Sequence, residues 1–201
     1  MGQSYLKNAA LLTGADVLLR LAGMGLRIYL ANALGGEGMG LYQLVLAVYA
    51  LFVTLATAGV SVAATRLMAE ELARGRAQAR GMLVRLAGTG LLLGAAAMAA
   101  QYGLAGAAAR WWLGDVRAAG ALRVSAFGMP WMALSAVLRG FFIARRRVEP
   151  NVLSQLVEQS VRIGIIWYAL EWGSAQDVSA RCTAVLAATA VSEAVSACIL
   201  L

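Results

Sequence analysis

Long apolar runs alternate with short polar breaks along this chain. Six runs are long enough for a helix to cross a bilayer, which takes about 20 residues. They cover roughly 9–32, 41–66, 81–103, 119–143, 151–172 and 179–201. The breaks are "LGGEGMG" (34–40), "EELARGRAQAR" (70–80), "RWWLGDVR" (110–117), "ARRRVEP" (144–150) and "EWGSAQD" (171–177), each rich in turn residues or charge. The pattern predicts an all-α fold, a polytopic membrane bundle of about six transmembrane helices.

Charge in the breaks orients that bundle. The second carries Arg74, Arg76 and Arg80, bracketed by Arg66 and Arg85, and the fourth carries Arg145, Arg146 and Arg147. The first break has no Lys or Arg and the fifth is purely acidic. The positive-inside rule then places the N-terminus and the second and fourth loops in the cytoplasm. Arg110 and Arg117 in the third loop run against it. Trp111, Trp112 and Trp172 fall at expected outer ends, with Trp167 one turn deeper, where amphipathic rings favour the interface. Arg85, Arg123 and Arg139 lie near span ends, where snorkelling to headgroups accounts for them.

One run breaks the apolar pattern from within. "LTGADVLLRLAGMGLRIYL" (12–30) carries Asp16, Arg20 and Arg27. At 100° per residue they sit at about 0°, 40° and 20° on the helical wheel, with Thr13 and Gly23 close by. Each such charge at the centre of a lone span costs about 2.5–3.5 kcal/mol on insertion scales, so this face is expected to meet protein or a wet cavity. Helix 5 presents a matching face with Asn151, Gln155, Glu158, Gln159 and Arg162. Asp16–Arg20 and Glu158–Arg162 should lie at similar depths, roughly 10–16 Å in. In both, the acid precedes the base by four residues, the better order for an intrahelical pair. Glu193 on helix 6 and a line of Thr54, Thr57, Ser61 and Thr65 on helix 2 extend the polar interior. Two outcomes stay open. Arg20–Glu158 or Asp16–Arg162 bridges would only staple helices together. Alternatively, Arg27 has no acid of its own on helix 1, and the surplus positive charge invites an anion such as phosphate, which arginine's planar fork suits.

Composition narrows the classes. The chain is 61% hydrophobic and 13% charged, against about 45–50% and 25% for soluble domains. The net charge of +7 fits cytoplasmic loops and anionic lipid heads, so no nucleic-acid partner is called for. There is no histidine, which removes the commonest general base and metal ligand. Cys182 and Cys198 have no C-x-x-C spacing and read as inert helix residues. "GGEGMG" lacks the lysine and Ser/Thr of a P-loop and reads as a tight outer turn. Gly90 and Gly94 make a G-x-x-x-G suited to close helix contact, and Pro130 should kink helix 4. No metal, cofactor or catalytic set emerges, and the chain reads as a non-enzyme. The last run stops at "SACILL" without a polar flank, which points to an N-terminal fragment of something longer.

"LANALGGEGMGLYQLVLAVYALFVTLATAGVSVAATRLMAEELARG" (30–75) and "VLRGFFIARRRVEPNVLSQLVEQSVRI" (137–163) resemble the stage V sporulation protein B family. That family is grouped with the lipid II flippase MurJ and polysaccharide exporters, in a superfamily with the multidrug MATE transporters. The resemblance implies a protein of about 14 helices in two lobes that alternate between inward- and outward-open states. Residues 1–201 would be the N-terminal lobe alone. It implies a bacterial cytoplasmic membrane location and an undecaprenyl-diphosphate-linked oligosaccharide as cargo, for peptidoglycan, polysaccharide or spore-cortex assembly. Arg20 and Arg27 match the helix 1 arginines that handle the diphosphate in the MurJ branch. Asp16 departs from the sporulation pattern, where that turn is mostly apolar, and leaves room for cation or proton coupling.

The combined expectation is a lipid-linked oligosaccharide flippase. Arg20 and Arg27 would attract diphosphate, Asn151, Gln155 and Gln159 would hydrogen-bond the head group, and Glu158 with Arg162 would gate. The alternatives are a MATE-like cation exporter coupled through Asp16 or Glu193, and a non-transporting scaffold for cell-wall synthesis enzymes.

Overall fold

The computed structural model describes residues 2–57, 59–74, 76–145, 147–172 and 177–201, with side chains described outside 2–12, 72, 74 and 76–79. The side chains of Arg74 and Arg76, and the whole of Arg146, counted above as cytoplasmic anchors, lie outside that description. Among the described residues every regular element is helical. These elements are α1 (Gly2–Thr57), α2 (Val60–Arg74), α3 (Arg76–Ala107), a π-helical turn (Ala108–Trp112), α4 (Ala118–Ala126), α5 (Met129–Ala144), α6 (Glu149–Glu171) and α7 (Val178–Leu200). Such a fold satisfies backbone groups within each segment, as hydrocarbon demands.

Four described stretches are long and apolar enough to cross a membrane: Thr13–Glu71, Arg80–Trp112, Ala118–Ala144 and Val178–Leu200. The sixfold expectation differs at two places. α6 falls outside this set because Glu158, Arg162 and the amides beside them dilute its hydropathy. The first two expected spans merge into one 59-residue stretch, and α1 alone would reach roughly 84 Å if straight. It is not straight. Gly35 has φ 70° and ψ −178°, a conformation open essentially to glycine. One cavity is lined by Gly23, Arg27 and Leu30 from before this break and by Tyr42, Leu46 and Tyr49 from after it. Residues 23 and 49 can share a wall only when the chain doubles back. The expected loop at 34–40 is thus compressed into a single glycine.

A third difference lies at the end of this hairpin. The helix expected over 41–66 stops at Thr57 and restarts at Val60, with Gly59 at φ 74°. Thr54, Thr57 and Thr65 satisfy their hydroxyls on carbonyls four residues back.

Pro130 goes further than the expected kink and stands where helix 4 divides in two. It sits in the first turn of α5, where its missing N–H costs nothing, and Phe127–Gly128 separates α4 from α5. The G-x-x-x-G pair acts as expected. A Cβ on Gly94 would lie 2.7 Å from Pro130 Cα and 2.9 Å from the Met129 carbonyl, and one on Gly90 would lie 3.0 Å from a Val137 methyl. Backbone therefore meets backbone along α3 and α5. The main core gathers Leu41, Val45 and Phe52 of α1 with Leu122 of α4 and Leu186 of α7. Gln101 of α3 is buried beside it and donates to the Leu122 carbonyl and Ser125 Oγ at 2.7 and 2.8 Å.

Candidate functional site

α5, α6 and α7 turn a charged seam toward one another. Glu158 of α6 accepts from Arg139 of α5 at 2.8 Å and from Arg162, one turn along its own helix, at 2.7 Å. Arg162 reaches on to Glu193 of α7 at 3.4 Å and donates through Nε to Ser192 Oγ at 3.2 Å. Arg139 also donates to Ser196 Oγ at 3.2 Å. The acids are withdrawn from solvent: the side chains of Glu158 and Glu193 are 13% and 6% exposed. Two arginines and two glutamates cancel in charge, which makes their shared burial tolerable.

Two cavities flank the seam and share Met132, Arg162 and Glu193. The first, about 330 Å³, adds Arg27, Tyr42, Tyr49 and Gln159. The second, about 420 Å³, adds Thr57, Ser61, Ser135, Arg139 and Glu158. Among the described residues no acid stands within ion-pair distance of Arg27. The first cavity therefore carries one positive charge in excess, from Arg27 and Arg162 against Glu193.

The expected site residues divide. Arg27, Gln159, Arg162 and Glu193 converge on the first cavity, and Glu158 on the second. The intrahelical Glu158–Arg162 pair forms as its spacing implied. Neither expected staple forms: Glu158 is taken by Arg139 and Arg162, while Asp16 and Arg20 are exposed and pair with nothing among the described residues. Arg27 rather than Arg20 shares a cavity wall with Arg162. Asn151 is buried and donates to the Arg139 carbonyl at 3.3 Å; Gln155 is half-buried. Both stand outside the two cavity walls. Arg139, read from the sequence as a snorkelling residue, turns inward instead. It lies five residues before the end of α5, and Arg145 and Arg147 beyond it are exposed. Its signal was the neighbour one turn earlier, Ser135, which marks a polar face. Ser192 and Ser196, flanking Glu193 on one face of α7, were legible in the same way.

A separate ion cluster closes the Gly35 end of the bundle. Arg117 meets Glu37 at 2.6 Å and Asp115 at 2.9 Å, and Arg181 donates to the Ala33 carbonyl at 3.2 Å. Hydrogen bonds from Arg117 hold the Asp115 carboxyl below its usual range, and a bond from Ser179 does the same for Asp177. Of the two arginines that ran against the positive-inside count, Arg117 is thus neutralised by two acids, while Arg110 stands exposed. Trp111, Trp112 and Trp172 stand exposed.

The family profile of polysaccharide biosynthesis proteins matches residues 5–201. The chain belongs to that family. The chain is also 34% identical over 166 residues to stage V sporulation protein B of Bacillus subtilis (strain 168). That alignment covers 82% of this chain and 32% of the relative, so the chain spans about a third of the length of the curated protein it matches. No solved structure matches. Family and apolar helices together make this a multi-pass membrane protein of the polysaccharide biosynthesis family.

Proposed function

We propose that this chain forms one lobe of a flippase that carries an undecaprenyl-diphosphate-linked oligosaccharide across the bacterial cytoplasmic membrane by alternating access. The N-terminus would face the cytoplasm, and no bond would be made or broken. Arg27 is the observation that supports this reading most. Its guanidinium borders a cavity, faces no acid among the described residues, and shares the wall with Arg162 and Gln159. A diphosphate would gain charge-assisted, bidentate hydrogen bonds there. Arg20, two turns along the same face and exposed, would capture the anion before Arg27 holds it. Gln159 would bond the head group, while the prenyl tail stays in lipid. Glu158 and Arg162 would keep the lobe closed around the seam.

The test is binding of a polyprenyl diphosphate to the chain in lipid nanodiscs. Arg27→Ala should weaken it roughly ten- to a hundredfold, the worth of a charged hydrogen bond. Arg20→Ala should weaken it less. Unchanged affinity in the double variant would overturn the reading and favour a scaffold for cell-wall enzymes. One observation favours a second reading, export of an organic cation: the Glu193 carboxylate is buried and its arginine stands at 3.4 Å, the longest pair in the seam. That exporter would ignore pyrophosphate analogues, whereas a diphosphate carrier would be inhibited by them.

A further inference from the structure

The second cavity differs from the first in charge and in unmet hydrogen bonds. Its charged lining is balanced, Arg139 and Arg162 against Glu158 and Glu193. An anion gains little from it, and neither does a cation, because each carboxylate already faces a guanidinium. Yet the lining has unused polar atoms. Ser135 is 2% exposed and its Oγ has no partner; the Nε of Arg139, one turn further along α5, is buried and also unpartnered. Both residues border this cavity. Buried polar groups without partners are rare and point to a missing ligand or water. The Thr57 hydroxyl, its proton spent on the Val53 carbonyl, still offers a lone pair.

Such a wall suits a neutral guest that both donates and accepts at several positions. A ring of hydroxyls does so, and about 420 Å³ lies within the range of roughly 300–1,000 Å³ for small-molecule sites. We propose that the cavity bordered by Ser135, Arg139 and Glu158 is a saccharide subsite, continuous through Arg162 and Glu193 with the diphosphate site at Arg27. The inference rests on the flippase reading and deepens it: one chamber takes the charge, the adjoining one takes the sugar.

The test compares two probes on the chain in nanodiscs, polyprenyl diphosphate with and without one attached hexose. The hexose-bearing lipid should bind more tightly. Ser135→Ala should cut that advantage roughly two- to tenfold, as expected for one neutral hydrogen bond. Ala136→Phe, which fills the same cavity, should abolish it. Binding of the sugar-free lipid stays unchanged in both and certifies their folding. Equal binding of the two lipids by the unaltered chain, or an advantage that survives both substitutions, overturns the subsite while leaving the Arg27 site standing. Sodium that competes with the hexose advantage overturns it too, in favour of an ion at Glu193. An Arg27→Ala variant that binds both lipids normally removes the flippase reading and this inference together.

Discussion

The inner seam and the outer cluster are built from the same chemistry and the same distances, and they do opposite work. Glu158 joins two arginines at 2.7 and 2.8 Å; Arg117 joins two acids at 2.6 and 2.9 Å. The difference is water. Glu158 is 13% exposed, whereas Glu37 is 65% and Arg117 48% exposed. An exposed pair is screened and gains little over its hydrated parts. A withdrawn one is held by the cost of leaving any member alone. Ion-pair length therefore says little about ion-pair worth in this molecule; burial decides.

The harshest way to break the contrast is Glu158→Ala, which strands Arg139 and Arg162 together. It should lower stability by about 3–5 kcal/mol, read as a fall in the unfolding midpoint of the chain in detergent. Glu193→Ala should cost less, because Glu193 contacts only one arginine of the seam and at the longest distance. A reversed order of the two variants would mean that pairing at α7 matters more than at α6. Arg117→Ala should leave the midpoint essentially where it was. Raising salt from 0.05 to 1 M (roughly a threefold or greater fall in Debye length) should loosen the outer cluster, seen as faster amide exchange at 115–118, and leave exchange in α6 unchanged.

The mildest test is pH. Asp115 has a depressed folded value, so its link to Arg117 is complete above the ordinary carboxylate value of 3.8. It is lost only as pH falls through the lower, folded one. The carboxyl carbon shift of Asp115 should accordingly titrate below 3.8. A midpoint at or above it would mean that the bond to Arg117 does not persist in solution.

Much of this was legible in the sequence, for physical reasons that differ by element. The helical class followed from run length. The Pro130 break and the Gly90–Gly94 contact followed from backbone chemistry that acts locally. The Glu158–Arg162 pair followed from a four-residue spacing. The partners across helices were harder. Arg139 was hidden because distance from a run's end stood in for depth, and the Arg20–Glu158 and Asp16–Arg162 bridges were weighed because both helices were counted from the same plane. Neither register nor depth is a local property. Each depends on how the helices pack across one another and on how tightly Gly35 folds the hairpin back.

Three glycines hold α5 at the closest approach that backbone allows. Gly90 and Gly94 seat α3 on it from one side, and Gly140 brings Ala64 and Ser61 of α2 within 3.0–3.2 Å of where a Cβ would stand. Such contacts have no side chain to slide or repack. Residues 129–144 are then the axle of the lobe: α2 and α3 seat on α5 backbone to backbone, whereas α6 meets it through the Arg139–Glu158 ion pair and the Asn151 amide. The same shaft carries Ser135 and Arg139 on its polar side, so its unyielding side holds one cavity wall in place.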